Sequence, residues 1–181
     1  MKILAISGSL RRASISTELL RAAGLLAPAG TSIILFDGLG ALPHFNPDLD
    51  VDPPPPAVRV LRESIAGADA VLISSPEYAH GVPGVLKNAL DWLVSGIEIV
   101  AKPIGLFNPA PRAVHAQASL VETLRTMAAD VVPGAQASVP LLGRARGAAD
   151  IAADPELAAM VQGALAALTQ AVRSRDEASD R

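Results

Sequence analysis

Between Gly8 and Thr17 the chain gathers the hydroxyls of Ser9, Ser14, Ser16 and Thr17, the guanidiniums of Arg11 and Arg12, and a glycine suited to a tight turn. Hydroxyls donate to anionic oxygens and arginine adds a charge-assisted bond, so this set of groups suits a phosphate. If a helix opens here, its unpaired N–H groups and positive dipole end favour the same ligand. Neither GxxxxGK[ST] nor GxGxxG is present, so one phosphate is provided for, as in a mononucleotide. The plainer alternative is an ordinary strand-to-helix turn with Ser14 or Ser16 as the cap.

A second stretch, Ser75 to Trp92, is polar and stiffened by Pro76, Gly81, Pro83 and Gly84. Its backbone N–H and C=O groups could meet the polar edge of a flat heterocycle, and Tyr78 offers an aromatic surface. Further on, Lys87 and Asp91 have the spacing of a helical ion pair, and Trp92 reads as core or interface. A third stretch, Asn108 to His115, carries Asn108 and Arg112 on either side of Pro109 and Pro111, and ends on His115. Asn108 could bond a ring edge and Arg112 a phosphate; a solvated connector is the alternative. His44, His80 and His115 lack metal-ligand spacing, and no metal site is expected. His80 could bound a substrate site, whereas His44 and His115 read as loop or cap residues.

The elements around these stretches follow from periodicity. Ile3–Ile6, Ser32–Phe36, Ala70–Ser74 and Pro103–Phe107 are short apolar runs of the buried-strand kind, with a weaker fifth near Ala135 to Val139. Helical spacing predicts helices over about Ser16–Ala27, Ala57–Ala66, Pro83–Val94 and Val114–Ala129. A last helix starts with Asp154 as its cap and Pro155 at its first position. A proline-rich surface loop lies between the second strand and the second helix, and Arg144 and Arg146 belong to a solvated loop. Strand and helix thus alternate, which predicts an α/β protein with right-handed crossovers. In so short a chain the expected architecture is a flavodoxin-like three-layer α/β/α sandwich, its five-stranded parallel sheet ordered 2-1-3-4-5. Ligands of such sheets gather beyond the carboxyl ends of the strands, where all three stretches fall. One domain over residues 1–173 and a frayed charged tail over 174–181 are expected.

Composition narrows the options. The 181 residues are 50% hydrophobic and 18% charged, enough for one sizeable core, and aromatics are only 3%, so aliphatic side chains must build it. A net charge of −3 supplies no excess of cations for a nucleic-acid backbone. Cysteine is absent, which excludes disulfides, thiolate metal sites and thiol catalysis. No apolar run reaches the roughly 20 residues that span a bilayer, and no secretory signal is visible. A cytoplasmic protein without membrane or nucleic-acid partners is expected.

The motifs resemble those of the NADPH-dependent FMN reductases, a family that includes quinone, azo-dye and chromate reductases. Its pattern, GSLR-x-x-S followed by PEYN-x-x-x-PG-x-LKNA-x-DW, is matched by Gly8-Ser9-Leu10-Arg11 with Ser14. It is matched again by Pro76-Glu77-Tyr78, Pro83-Gly84, Leu86-Lys87-Asn88-Ala89 and Asp91-Trp92. The likeness runs to about Pro140 and fades beyond it. The resemblance implies that Ser9, Arg11, Ser14, Ser16 and Thr17 surround the FMN phosphate. It implies that Pro76, Glu77, Tyr78, Ala79 and His80 line the isoalloxazine ring, partly through backbone atoms, with Asn108 and Arg112 on the third loop nearby. NADPH or NADH would be the electron donor, and a small molecule (quinone-like, azo, metal-oxyanion or free flavin) the acceptor. No catalytic acid or base is implied, and a homodimer or homotetramer is. Two positions depart from the pattern: Ser16 stands where relatives often have Asn, and Ala79 replaces the Asn of PEYN. Two other readings keep the fold: an electron carrier without nicotinamide oxidase activity, and a relative that has lost its flavin.

Overall fold

A computed structural model describes residues 1–143 and 147–179. The loop expected around Arg144 and Arg146 lies outside the described residues. Strands β1 (Lys2–Ser7), β2 (Ser32–Phe36), β3 (Ala70–Ser74), β4 (Pro103–Asn108) and β5 (Asp130–Ser138) alternate with helices. The helices are α1 (Ile15–Leu25), α2 (Pro56–Ala66), α3 (Gly84–Asp91) and α4 (Val114–Thr126), then α5 (Ala148–Ala153) and α6 (Pro155–Ser179). All strand pairs are parallel and the order is β2-β1-β3-β4-β5, as the alternation predicted. β3 and β4 are buried along their whole length, which is why they read as unbroken apolar runs rather than as alternating ones.

The pleat divides the core in two. Ile3, Ala5, Ala70 and Leu72 face α1, α5 and α6, meeting Leu19, Ile151, Leu157, Leu165 and Leu168. Leu4, Ile6, Val71 and Ile73 face the other way, onto Leu61, Ile65, Leu86, Leu90, Leu120 and Leu124 of α2, α3 and α4. The result is the three-layer sandwich expected. It closes with almost no aromatic residues because aliphatic side chains fill both faces.

Three elements differ from the sequence expectation. β5 begins at Asp130 rather than near Ala135. Its pairing with β4 slips, since the step from Ile104 to Leu106 is matched by the longer step from Val131 to Gln136. Pro133 and Gly134 lie in that slip and read locally as strand breakers; an edge strand with a bulge tolerates both. The short helix α5 was not anticipated; it lies against α1 and is tied there by Glu18, whose Oε2 accepts from the Ala148 N–H at 3.0 Å. α6 has the expected Asp154 cap, with Oδ1 accepting from Glu156 N and Leu157 N, and it continues to Ser179, past the start of the charged tail at Ser174.

The long loop after β2 is fixed from below. Trp92 is fully buried and donates its Nε1–H to Pro43 O at 2.8 Å. Asn88 Nδ2 donates to the same carbonyl at 2.9 Å, and Asn88 Oδ1 accepts from Phe45 N at 2.7 Å. Phe45 meets Trp92 edge to face at 5.1 Å. Lys87 and Asp91 form the expected helical ion pair. Leu86, Asn88, Ala89 and Trp92 of the LKNA and DW motifs therefore act in packing. Farther along, Arg62 bonds Asp50, Ser95 and the Trp92 carbonyl. The hydrogen bond from Ser95, helped by Arg62 and opposed by burial, holds the Asp50 carboxyl below its ordinary 3.8.

Candidate active site

β1 and β3 end side by side, with Ser7 opposite Ser74, and the winding reverses between them. The first loop leaves β1 at Gly8, whose N–H donates to Ser74 O at 2.8 Å. A Cβ on Gly8 would stand 2.5 Å from Ser75 Oγ and 2.9 Å from Ser75 Cβ. Only glycine lets the first and second loops approach this closely. Ser14 then caps α1, its Oγ accepting from Thr17 N at 3.4 Å, and the Thr17 hydroxyl pairs with Ser7 Oγ at 2.8 Å. Ser9 Oγ accepts from Arg11 N at 3.3 Å. The capping role weighed for Ser14 is thus real, and it is compatible with the anion site that the helix end offers.

Ser16 is different. It is fully buried in the opening turn of α1, and its Oγ has no partner. Ser74 Oγ, at the end of β3, is likewise buried without a partner. An unpaired buried hydroxyl costs about 1–3 kcal/mol, so two of them at one end of the sheet call for an explanation. Acidic competition is absent from this turn, because Glu18 is engaged by Arg21 and by the Ala148 N–H. Among the described residues neither Arg11 nor Arg112 forms an ion pair. The first loop is a donor set with capacity to spare, which fits a phosphate.

The second loop leaves β3 and turns back at once. Tyr78 and Gly81 exchange backbone hydrogen bonds, N–H to O at 3.2 and 2.9 Å. The two residues between them, Ala79 and His80, have φ of 50° and 60°. Positive φ at both central positions is the pattern of a type I′ turn, which favours Asn and Gly. Ala79 therefore departs from the family pattern at a position where asparagine relieves backbone strain, a cost of roughly 1–2 kcal/mol for other residues. The Glu77 side chain runs away from the turn, and its Oε2 accepts from Ala116 N at 2.8 Å in the first turn of α4. Of Glu77, only the backbone is left to line a ring. His80 stacks on His115 with ring centroids 4.2 Å apart and 28° between the planes, so two histidines 35 positions apart in the chain meet at the site.

In the third loop Asn108 is buried, with Nδ2 donating to Ala113 O at 3.1 Å and Oδ1 accepting from Ala110 N at 2.9 Å. Its amide shapes the loop first and has one N–H to spare for a ligand. Arg112 is exposed.

A cleft of about 370 Å³ joins the first two loops, lined by Gly8, Leu10 and Arg11 on one side and Tyr78, Pro83 and Val85 on the other. Larger clefts exist, such as one of about 490 Å³ between the end of α1 and α6, but no loop from a strand's carboxyl end reaches it. Tyr78 and Leu10 keep more than half their surface exposed, so the cleft mouth is apolar, and Arg11 is the charged group on its wall. Leu10, Val85 and the Ser7–Ser74 pair were not singled out from the sequence as site residues, and His115 was read only as a loop or cap residue. Ser74 alone carried a signal, as the polar end of the clearest strand. No group of three or more potential metal ligands occurs among the described residues.

A parallel sheet with this strand order and a donor-lined loop at its reversal point defines a flavodoxin-like protein. Residues 1–142 match the family described as NADPH-dependent FMN reductase, and the chain belongs to that family. It is 47% identical over 92 residues to the NAD(P)H-dependent FMN reductase of Pseudomonas aeruginosa, a stretch covering 51% of this chain and 49% of that one. The figures are the same for 2-hydroxy-1,4-benzoquinone reductase of a Burkholderia species. The chain thus spans about half the length of the curated relatives it matches. A solved structure, the NAD(P)H:(acceptor) oxidoreductase FerB of Paracoccus denitrificans, superposes with a TM-score of 0.79 at 28% identity. That likeness covers 96% of this chain and 97% of the other.

Proposed function

We propose that the chain is an FMN-dependent NAD(P)H oxidoreductase, taking two electrons from NADPH or NADH and passing them to a small planar acceptor of the quinone or flavin type. The observation that carries the reading is the unpartnered Ser16 hydroxyl in the opening turn of α1, in the same loop-to-helix segment where Ser9, Arg11 and Ser14 offer donors to a single phosphate. Bound FMN would supply the two-electron chemistry. Arg11 would balance the phosphate charge, and Ser16 would donate a hydrogen bond to a phosphate oxygen. The backbone from Pro76 to His80 would fix the ring against the cleft wall, with the spare Asn108 N–H and Arg112 at its polar edge. Leu10 and Tyr78 would exclude water from the reacting face. No side chain need act as nucleophile or base.

The matched relatives named for reduction of quinones and of FMN support this choice of donor and acceptor. A cytoplasmic location follows from the donor, since reduced nicotinamide nucleotides are held inside cells. Self-association into a dimer or tetramer is part of the proposal, supported by Val94 and Ile97, exposed at 65% and 83% in the turn after α3. Among the described residues no helix is long and apolar enough to cross a membrane.

The test is an anaerobic absorbance spectrum of the FMN-reconstituted protein before and after NADPH, then NADH. Bleaching of bound flavin by either nucleotide is the expected result. Bound flavin that ignores both would make the chain an electron carrier, and failure to retain flavin would mark a degenerate site at Ala79.

A further inference from the structure

The second loop touches the first turn of α4 at two points. Glu77 Oε2 accepts from Ala116 N, and the His80 ring lies on the His115 ring. One anchor precedes the turn and the other sits at its centre, and on the helix side they meet adjacent residues, Ala116 and His115. At the centre of the turn the backbone takes an unfavourable course, with Ala79 and His80 both left-handed. The turn's own support is a single backbone pair between Tyr78 and Gly81. Asparagine in place of Ala79 would settle into this conformation unaided; alanine does not, and external contacts must hold it. A carboxylate on a helix's free N–H groups is a favourable anchor, and two stacked rings add a flat, directional one.

We infer that this contact is a latch that sets where the crown of the second loop stands, making Glu77, His80 and His115 positioning residues. The inference rests on the proposed flavin reading, because Tyr78, carried by the latched turn, shares its cleft with Leu10 and Arg11 of the first loop. If α4 lets go, the cleft wall moves and the ring loses its backbone partners. The phosphate site on α1 stays as it is, so binding weakens without vanishing. The four-residue crown is then held by α4, an element that itself lines none of that cleft.

The experiment compares Glu77→Ala with Glu77→Gln, and His115→Ala with His115→Phe. The readouts are FMN dissociation constant, midpoint potential of the bound flavin, and thermal midpoint and Ala116 amide exchange of the apoprotein. Both alanine variants should weaken FMN about tenfold and shift its potential, with the thermal midpoint little changed. Gln keeps the acceptor and Phe keeps the flat ring, so each should recover most of the loss. His80→Ala combined with His115→Ala should cost no more than either alone, as expected for two rings that act only as a pair. Alanine variants with wild-type affinity and potential would overturn the latch. So would Gln and Phe variants as weak as alanine, or additive losses in the double variant. Wild-type protein that binds no FMN would sink the flavin reading instead. The latch would then be judged on the apoprotein, where Glu77→Ala must speed Ala116 exchange and an unchanged rate refutes it.

Discussion

The two ends of the sheet put their polar groups to different uses. At the amino ends most are engaged, the buried acceptor Glu98 Oε2 being an exception. Lys2 N donates to Asp69 Oδ2 at 2.7 Å, Lys102 Nζ to Ala68 O at 2.6 Å, and Arg175 reaches Ala101 O and Asp69 O at 3.4 Å. At the carboxyl ends, Ser16 and Ser74 keep buried hydroxyls without partners. One end is largely finished as a structure, with a lone acceptor left over, and the other holds donors in reserve. Folding alone selects against unpaired buried groups, so where they persist a ligand is the economical explanation.

Three substitutions test that contrast. Gly8→Ala should act most strongly, because its Cβ would stand 2.5 Å from Ser75 Oγ and must drive the first two loops apart. A loss of about 1–3 kcal/mol in urea-denaturation stability is expected, together with loss of FMN binding. A Gly8→Ala variant with wild-type stability would show that the close approach is not required. Ser16→Ala should separate the two roles of the carboxyl end. Removing an unsatisfied hydroxyl raises apoprotein stability by about 1 kcal/mol while FMN affinity falls roughly fivefold. Calorimetry of the apoprotein and fluorescence titration with FMN measure both, and a fall in both would make the hydroxyl merely structural.

The smallest effect belongs to the finished end. Burial, then the nearby Arg175 charge, pushes the Lys102 pKa below its ordinary 10.5, with Asp69 acting the other way. The folded state thus gives up this proton at lower pH than the unfolded chain does. Between those two values the unfolded state binds more protons, so stability gains a contribution that grows as pH rises. In Lys102→Met that contribution should vanish. Urea melts at about pH 8 and about pH 10 would show a pH dependence less positive than the wild type's, and an unchanged dependence would place the source elsewhere.

Much of this was open to a reader of the sequence. β3 falls where its apolar run does, because a strand buried on both faces writes itself as an uninterrupted run; β2 also falls on its run although it is a half-exposed edge strand. The first loop was legible because its hydroxyls, guanidiniums and glycine are close in sequence as well as in space. β5 was half hidden, since the slip opposite β4 admits Pro133 and Gly134, and local rules read those as an end. α5 was hidden because its helical span is only 6 residues, too short for a periodic signal. Side-chain destinations were the least legible. Glu77 turns from the expected ring toward a helix terminus, and Asn108 bonds its own loop. His115 finds His80 only because parallel crossovers bring the second and third loops to the same edge. Motif resemblance named candidate residues without saying which of their atoms would be left over.

The slipped pairing of β5 has a consequence outside the site. An edge strand displays a repeating row of unpaired backbone groups onto which another chain can add. Pro133 removes one donor from that row, and the bulge throws the remaining groups out of step with any straight strand. Sheets of neighbouring molecules are thereby kept from growing end to end into fibrils, whatever contacts the helical faces make.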